Sequence, residues 1–156
     1  MQQIRWGIIG CGDVTEVKSG PGFQKAEGSQ LVAVMRRNAE KAADYAKRHH
    51  VDTWYDDAIK LIEDPRVDAV YIATHPDTHR SYTLLAAEKG KPVYCEKPLG
   101  YSYEQSKEMV EYCKQQGVPL YSAYYRRALP KFLKIKELVD NGILGEIRAV
   151  HIEMLQ

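Results

Sequence analysis

The chain has 156 residues, with 22 lysines and arginines against 21 aspartates and glutamates. A formal net charge of +1 argues against a strongly basic nucleic-acid binder, and no apolar run reaches the ~18 residues a membrane span needs. Hydrophobic residues at 44% supply enough surface to bury, so a folded soluble domain is expected rather than a disordered chain.

Apolar runs at 4–9, 31–35, 69–73, 93–95 and 120–123 read as strands. They are continuous rather than alternating, as strands covered by helices on both faces must be. The first ends in Gly7-Ile8-Ile9-Gly10-Cys11-Gly12-Asp13-Val14-Thr15, directly before a helical stretch. In this G-x-G-x-x-T turn Gly10 permits the tight bend. Gly12 lets the backbone approach a pyrophosphate resting on the helix N-terminus, with Cys11, Asp13 and Val14 completing the turn. Thr15 stands where glycine or alanine is usual.

The second strand ends in Met35-Arg36-Arg37-Asn38, with no carboxylate before Glu40. An NAD site places an acid there for the ribose 2′-hydroxyl. Two guanidiniums instead match a 2′-phosphate in charge and fork geometry, so NADP is the preferred cofactor and NAD the other candidate. Asn38 is expected to cap the next helix and Asp56 the one after, which Pro65 stops.

A helix opens at Asp77 or Thr78 and runs to Gly90; another follows the capping box Ser102–Gln105 and ends at Gly117. Alternating strands and helices with short connections predict right-handed βαβ units in a doubly wound parallel sheet, an α/β fold. A last helix is expected from Pro130 to Asn141-Gly142, then a strand over 147–156 with no obvious partner.

Cys11, Cys95 and Cys113 are odd in number and lack C-x-x-C spacing, which argues against disulfides and structural zinc. With no signal-peptide pattern at the N-terminus, a cytoplasmic setting is expected. The Cys11 thiol could be acidified by a helix N-terminus, but a small filler between two glycines is the preferred reading. His49-His50 points its two rings ~100° apart on a helix with no third ligand nearby, so no metal site is expected.

The blocks GIIGCGDV, VDAVYIATHPDTH and GKPVYCEKPLG together resemble the Gfo/Idh/MocA family of NAD(P)-dependent oxidoreductases, in order and spacing across essentially the whole chain. The resemblance implies a Rossmann domain over 1–123, and over 124–156 the start of a second α/β domain built on a large, mostly antiparallel sheet. That second domain would supply most of the substrate pocket, the homo-oligomer contacts and a second acid/base group beyond Gln156. On this expectation the chain as given binds cofactor without turning over substrate. The substrate implied is a sugar, cyclitol or related polyol.

Lys97 matches the family lysine beside the nicotinamide and the reacting hydroxyl. Its place after a sheet strand also suits a donor to a substrate oxygen. Glu96 is expected to orient Lys97 or contact the nicotinamide ribose, and Pro98 to hold the turn, through a cis bond or otherwise. Thr74, His75 and His79 match the cofactor-side loop, although the family more often carries proline or asparagine at His75. In Tyr124-Tyr125-Arg126-Arg127-Ala128-Leu129-Pro130, Arg127 and Pro130 match a family segment while Tyr125 and Ala128 depart from it. The family also includes cofactor-sensing regulators, so a non-catalytic binding module is the alternative reading; Glu96-Lys97-Pro98 favours the enzyme.

Overall fold

The computed structural model describes residues 3–153. Six strands, β1 (Ile4–Ile9), β2 (Ser29–Met35), β3 (Thr53–Tyr55), β4 (Ala69–Ile72), β5 (Val93–Cys95) and β6 (Leu120–Ser122), form one sheet in the order β3-β2-β1-β4-β5-β6. Every pairing is parallel. Helices α1 (Gly20–Lys25), α2 (Ala39–Arg48), α3 (Ala58–Ile62), α4 (His79–Glu88) and α5 (Tyr103–Gln115) lie in the crossovers. This is the doubly wound Rossmann sheet, whose strand order reverses direction between β1 and β4.

The continuous apolar strands have the expected cause. Ile9, Met35, Val70 and Ile72 pack with Leu61, Ile62, Ala86 and Met109 on one face. Ile8, Val34 and Tyr71 pack with Tyr45 and Ala46 on the other. Alternate residues in the buried carboxyl-terminal parts of the central strands therefore enter opposite cores.

Caps follow local hydrogen bonding. Asn38 Oδ1 accepts from the Lys41 N–H at 2.8 Å. Helix α3 is capped by Asp57, which accepts from the Ile59 N–H at 2.7 Å, and not by the expected Asp56, which reaches Lys60 instead. Ser102 accepts from the Gln105 N–H at 3.3 Å, but Gln105 Oε1 returns to the Tyr101 N–H, one residue upstream of the expected box. Helix α4 is preceded by a 3-10 turn at Pro76–Thr78.

Strand β3 escaped the sequence reading; it is a three-residue edge strand pairing only with β2. The chain divides into two compact units between Ala123 and Tyr124. In the second unit, α6 (Pro130–Asp140) forms with its proline at the start. The strand expected over 147–156 is corrected: residues 147–153 pair with nothing among the described residues, and 154–156 lie outside them. A strand takes shape only when its backbone groups find a neighbouring ladder.

After the glycine turn the chain runs helical through 13–25, with a π-helical turn at Thr15–Ser19. The Thr15 carbonyl accepts from both the Gly20 N–H and the Tyr45 hydroxyl, the latter at 2.9 Å. A Cβ at Gly20 would overlap both Thr15 O and the Tyr45 oxygen. On the same helical run, Glu16 takes a bidentate pair from Arg48 at 2.7 Å and lies 2.7 Å from His49 Nε2. His49, one of the two adjacent histidines, stacks on Tyr45 at 4.1 Å.

The hydrogen bonds from Arg48, aided by His49, hold the Glu16 carboxyl down at about 2, against an ordinary value of 4.5. A carboxyl depressed on folding stabilises the fold above its unfolded value and loses that contribution as pH falls through the folded one. Glu16→Gln should therefore lower the urea midpoint near neutral pH, with the gap to the unsubstituted chain closing between about 4.5 and about 2. Urea melts across that window check it; a gap that persists at the acid end overturns the assignment.

Candidate functional site

The cleft is built where β1, β2 and β4 end. Gly10 sits at φ +91°, and a Cβ there would lie 2.6 Å from Thr74 Cγ2 and 2.9 Å from the Thr74 nitrogen. Only glycine allows both the bend and this close approach of two loops. The N–H groups of Gly10 and Cys11 both donate to the Met35 carbonyl, at 2.9 and 3.0 Å. Gly12 N–H donates to Thr15 Oγ1 at 2.9 Å, and the Thr15 hydroxyl donates back to Gly12 O at 2.7 Å. Thr15, the departure from the usual fingerprint, thus closes the turn with its hydroxyl. The exposed Asp13 and Val14 follow at the start of the helical run, where backbone N–H groups have no intrahelical acceptor. A Cβ on Gly12 would meet only Gly10 O, at 4.0 Å.

A cleft of about 360 Å³ brings together Gly10, Cys11, Gly12, Arg36, Arg37, Thr74 and His75 of the expected residues. It does not reach Asp13, Val14, His79, Glu96 or Lys97. Arg36 Nη1 donates to Cys11 O at 3.2 Å, which anchors one guanidinium on the glycine turn. Arg37 is exposed on the same rim. Lys41, one helical turn on in α2, joins them there. Lys41 went unnoticed in the sequence, where an exposed lysine in the first turn of a helix gives no sign of which cleft it borders.

Burial, partly opposed by Arg36, pushes the Cys11 thiol up to about 11, and burial pushes Cys95 up to about 12. Both thiols are fully buried and stay protonated at neutral pH, so Cys11 is filler and its acidification at the helix start does not occur. All three cysteines are free.

On the other side of the switch point, Lys97 is exposed on the turn after β5, and its peptide to Pro98 is cis. The Glu96 N–H continues the sheet by donating to Ile72 O at 2.9 Å. Glu96 Oε2 accepts from the Lys97 N–H at 3.1 Å, while Oε1 accepts from the Tyr71 hydroxyl at 2.7 Å. Exposed His75 lies 3.1 Å from Asp77 and 3.3 Å from the Tyr101 hydroxyl, joining the loops after β4 and β5.

His79 departs from the expected cofactor-side contact. Its ring is fully buried, with Nδ1 2.9 Å from Pro98 O and Nε2 3.0 Å from Thr74 O. It faces those two loop carbonyls and not the cleft. Tyr71 and Tyr101 were not singled out from the sequence: in an apolar strand and a polar loop, neither hydroxyl shows its target.

A parallel sheet with a glycine turn opening a helix at the switch point defines the class: a dinucleotide-binding Rossmann domain. The chain belongs to the Gfo/Idh/MocA oxidoreductases, whose family model, described as an oxidoreductase family with an NAD-binding Rossmann fold, matches residues 4–124. It is 49% identical over 154 residues to Oxidoreductase P35 of Formosa agariphila, covering 99% of this chain and 48% of that protein. It is 33% identical over 154 residues to trans-1,2-dihydrobenzene-1,2-diol dehydrogenase of Mus musculus, covering 96% and 45%. The crystal structure of myo-inositol 2-dehydrogenase from Lactobacillus plantarum superposes with a TM-score of 0.83 at 28% identity, over 94% of this chain and 43% of that one. The chain thus spans about half the length of the curated relatives it matches. No helix among the described residues is long and apolar enough to cross a membrane.

Gly10→Ala should both strain the backbone and drive a methyl group into Thr74, costing about 2 kcal/mol or more. Thermal melts with and without cofactor check it. Retention of wild-type stability would show that the loops separate freely.

Proposed function

We propose that this chain forms the cofactor-binding half of an oxidoreductase that moves a hydride between NADP and a hydroxyl-bearing carbon of a polyol, sugar or cyclitol. The observation that carries the reading is the pairing of two features at the carboxyl edge of one sheet: the Arg36, Arg37 and Lys41 rim beside the glycine turn, and the Glu96–Lys97 turn after β5.

The residues present fit a dinucleotide. The cleft would take the adenosine end, with Arg37 and Lys41 placed to hold a 2′-phosphate and Arg36 held on the glycine turn. The N–H groups of Asp13 and Val14 at the start of the helical run would hold the pyrophosphate. The nicotinamide supplies the hydride acceptor or donor. Lys97 would meet the reacting oxygen: as the ammonium it would give a proton to the substrate carbonyl oxygen as hydride arrives at the adjacent carbon, and in the reverse direction the neutral amine would take up the hydroxyl proton as hydride leaves. Glu96 holds the Lys97 backbone in place for that contact. The polyol class is supported by the dihydrodiol and inositol dehydrogenases among its relatives.

Two measurements test this. NADPH should bind at least about tenfold more tightly than NADH, and Arg37→Ala with Lys41→Ala should weaken NADPH by about tenfold or more while leaving NADH nearly unchanged. Fluorescence titration reads both; equal affinities remove the role given to the rim. In a polypeptide that carries this chain and turns over a polyol, Lys97→Met should lower kcat by roughly 10²–10⁴-fold. Near-normal turnover overturns the assignment.

A further inference from the structure

Tyr71 is an anomaly in the otherwise aliphatic centre of β4. Its neighbours Val70 and Ile72 turn to one core, while Tyr71 enters the other at 1% exposure and carries a hydroxyl with it. A buried hydroxyl without a partner is costly, so where it points is the question. The ring is wedged between Phe23 and Tyr94, with centroids at 5.0 and 5.4 Å. Its strand is paired on both sides, to β1 and β5. The phenol oxygen is thus among the best-fixed polar atoms in the sheet, and it donates to Glu96 Oε1 at 2.7 Å. Burial pushes the phenol well above its ordinary range and the Glu96 carboxylate adds to this, against a contact from Ser19, so it remains a donor at any physiological pH.

Glu96, by contrast, is a half-exposed side chain on a turn, with three rotatable bonds. Its two oxygens divide the work. One is held from inside the sheet by Tyr71, and the other receives the Lys97 N–H. We propose that Tyr71 is a positioning residue: its hydroxyl fixes the Glu96 carboxylate, and through it the Lys97 turn, against the rigid centre of the sheet. The inference rests on the reading that this turn faces the nicotinamide. Tyr71 touches neither cofactor nor substrate and acts only through Glu96.

Tyr71→Phe keeps the ring and its packing and removes only the hydroxyl. The Kd of the chain is measured for NADPH and for adenosine 2′,5′-bisphosphate, which occupies only the adenosine end, in four forms: unsubstituted, Tyr71→Phe, Glu96→Ala and the double variant. Tyr71→Phe should weaken NADPH about tenfold, the scale of a lost hydrogen bond to a charged group, with an unchanged circular dichroism spectrum. The bisphosphate should stay within about twofold, and the double variant within about twofold of Glu96→Ala alone. That split separates positioning from general support of the fold, which would weaken both ligands. An unchanged NADPH affinity, an equal loss for the bisphosphate, or the same loss in the Glu96→Ala background overturns the inference alone. Failure of the unsubstituted chain to bind either NADPH or NADH overturns the cofactor reading, and this inference with it.

Discussion

The Met35 carbonyl is the hinge of this structure. It accepts from both Gly10 and Cys11, so the last residue of β2 fixes where β1 stops and how sharply the chain leaves the sheet. The bend needs φ +91° at Gly10, and the resulting approach of Thr74 leaves no room for a side chain. Three strand ends are thereby drawn together at one point. The cleft, the helix start and the rim of cations all take their positions from it.

That constraint explains the division of labour at the carboxyl edge. To one side of the switch point, β1 and β2 present backbone amides and cations, which suit phosphates. To the other, β4 and β5 present Thr74, Glu96 and Lys97, held from within by Tyr71 and by the buried ring of His79. Beyond the strand pairing, the two loops come closest at Gly10 and Thr74. A displacement of either loop is therefore felt by both ends of a ligand laid across them.

Much of this was legible in the amino-acid sequence where the signal was local or repeated. Continuous apolar runs marked five strands, because burial on two faces leaves its print on every residue. Asn38 and the glycine turn were readable for the same reason: a cap and a positive φ are chosen by one or two neighbours. What escaped depended on tertiary partners. Three residues at Thr53–Tyr55 are too few to show a period, and they form a strand only because β2 offers an edge. Asp56 was expected to cap α3, and the register of the helix gives that role to Asp57. His79 looked as ready for the cleft as His75, but its place at the start of α4 turns it inward. Residues 147–153 have the composition of a strand and no ladder to join among the described residues.

The bookkeeping of backbone amides sharpens what the turn can hold. The N–H groups of Gly10 and Cys11 are committed to Met35, and that of Gly12 to Thr15. The donors left at the helix start belong to Asp13 and Val14, and Asp13 brings its own negative charge to the same place. A pyrophosphate there would meet fewer free amides than the bare motif implies, and a carboxylate beside them. The compensating charge comes from the next strand: Arg36, tied to the Cys11 carbonyl, delivers its cation onto the back of the turn itself. On the proposed reading, arginine at this position would serve the pyrophosphate through the turn as well as the ribose end through the cleft. An acidic residue in its place would set a second negative charge beside Asp13 and leave the turn without its cation.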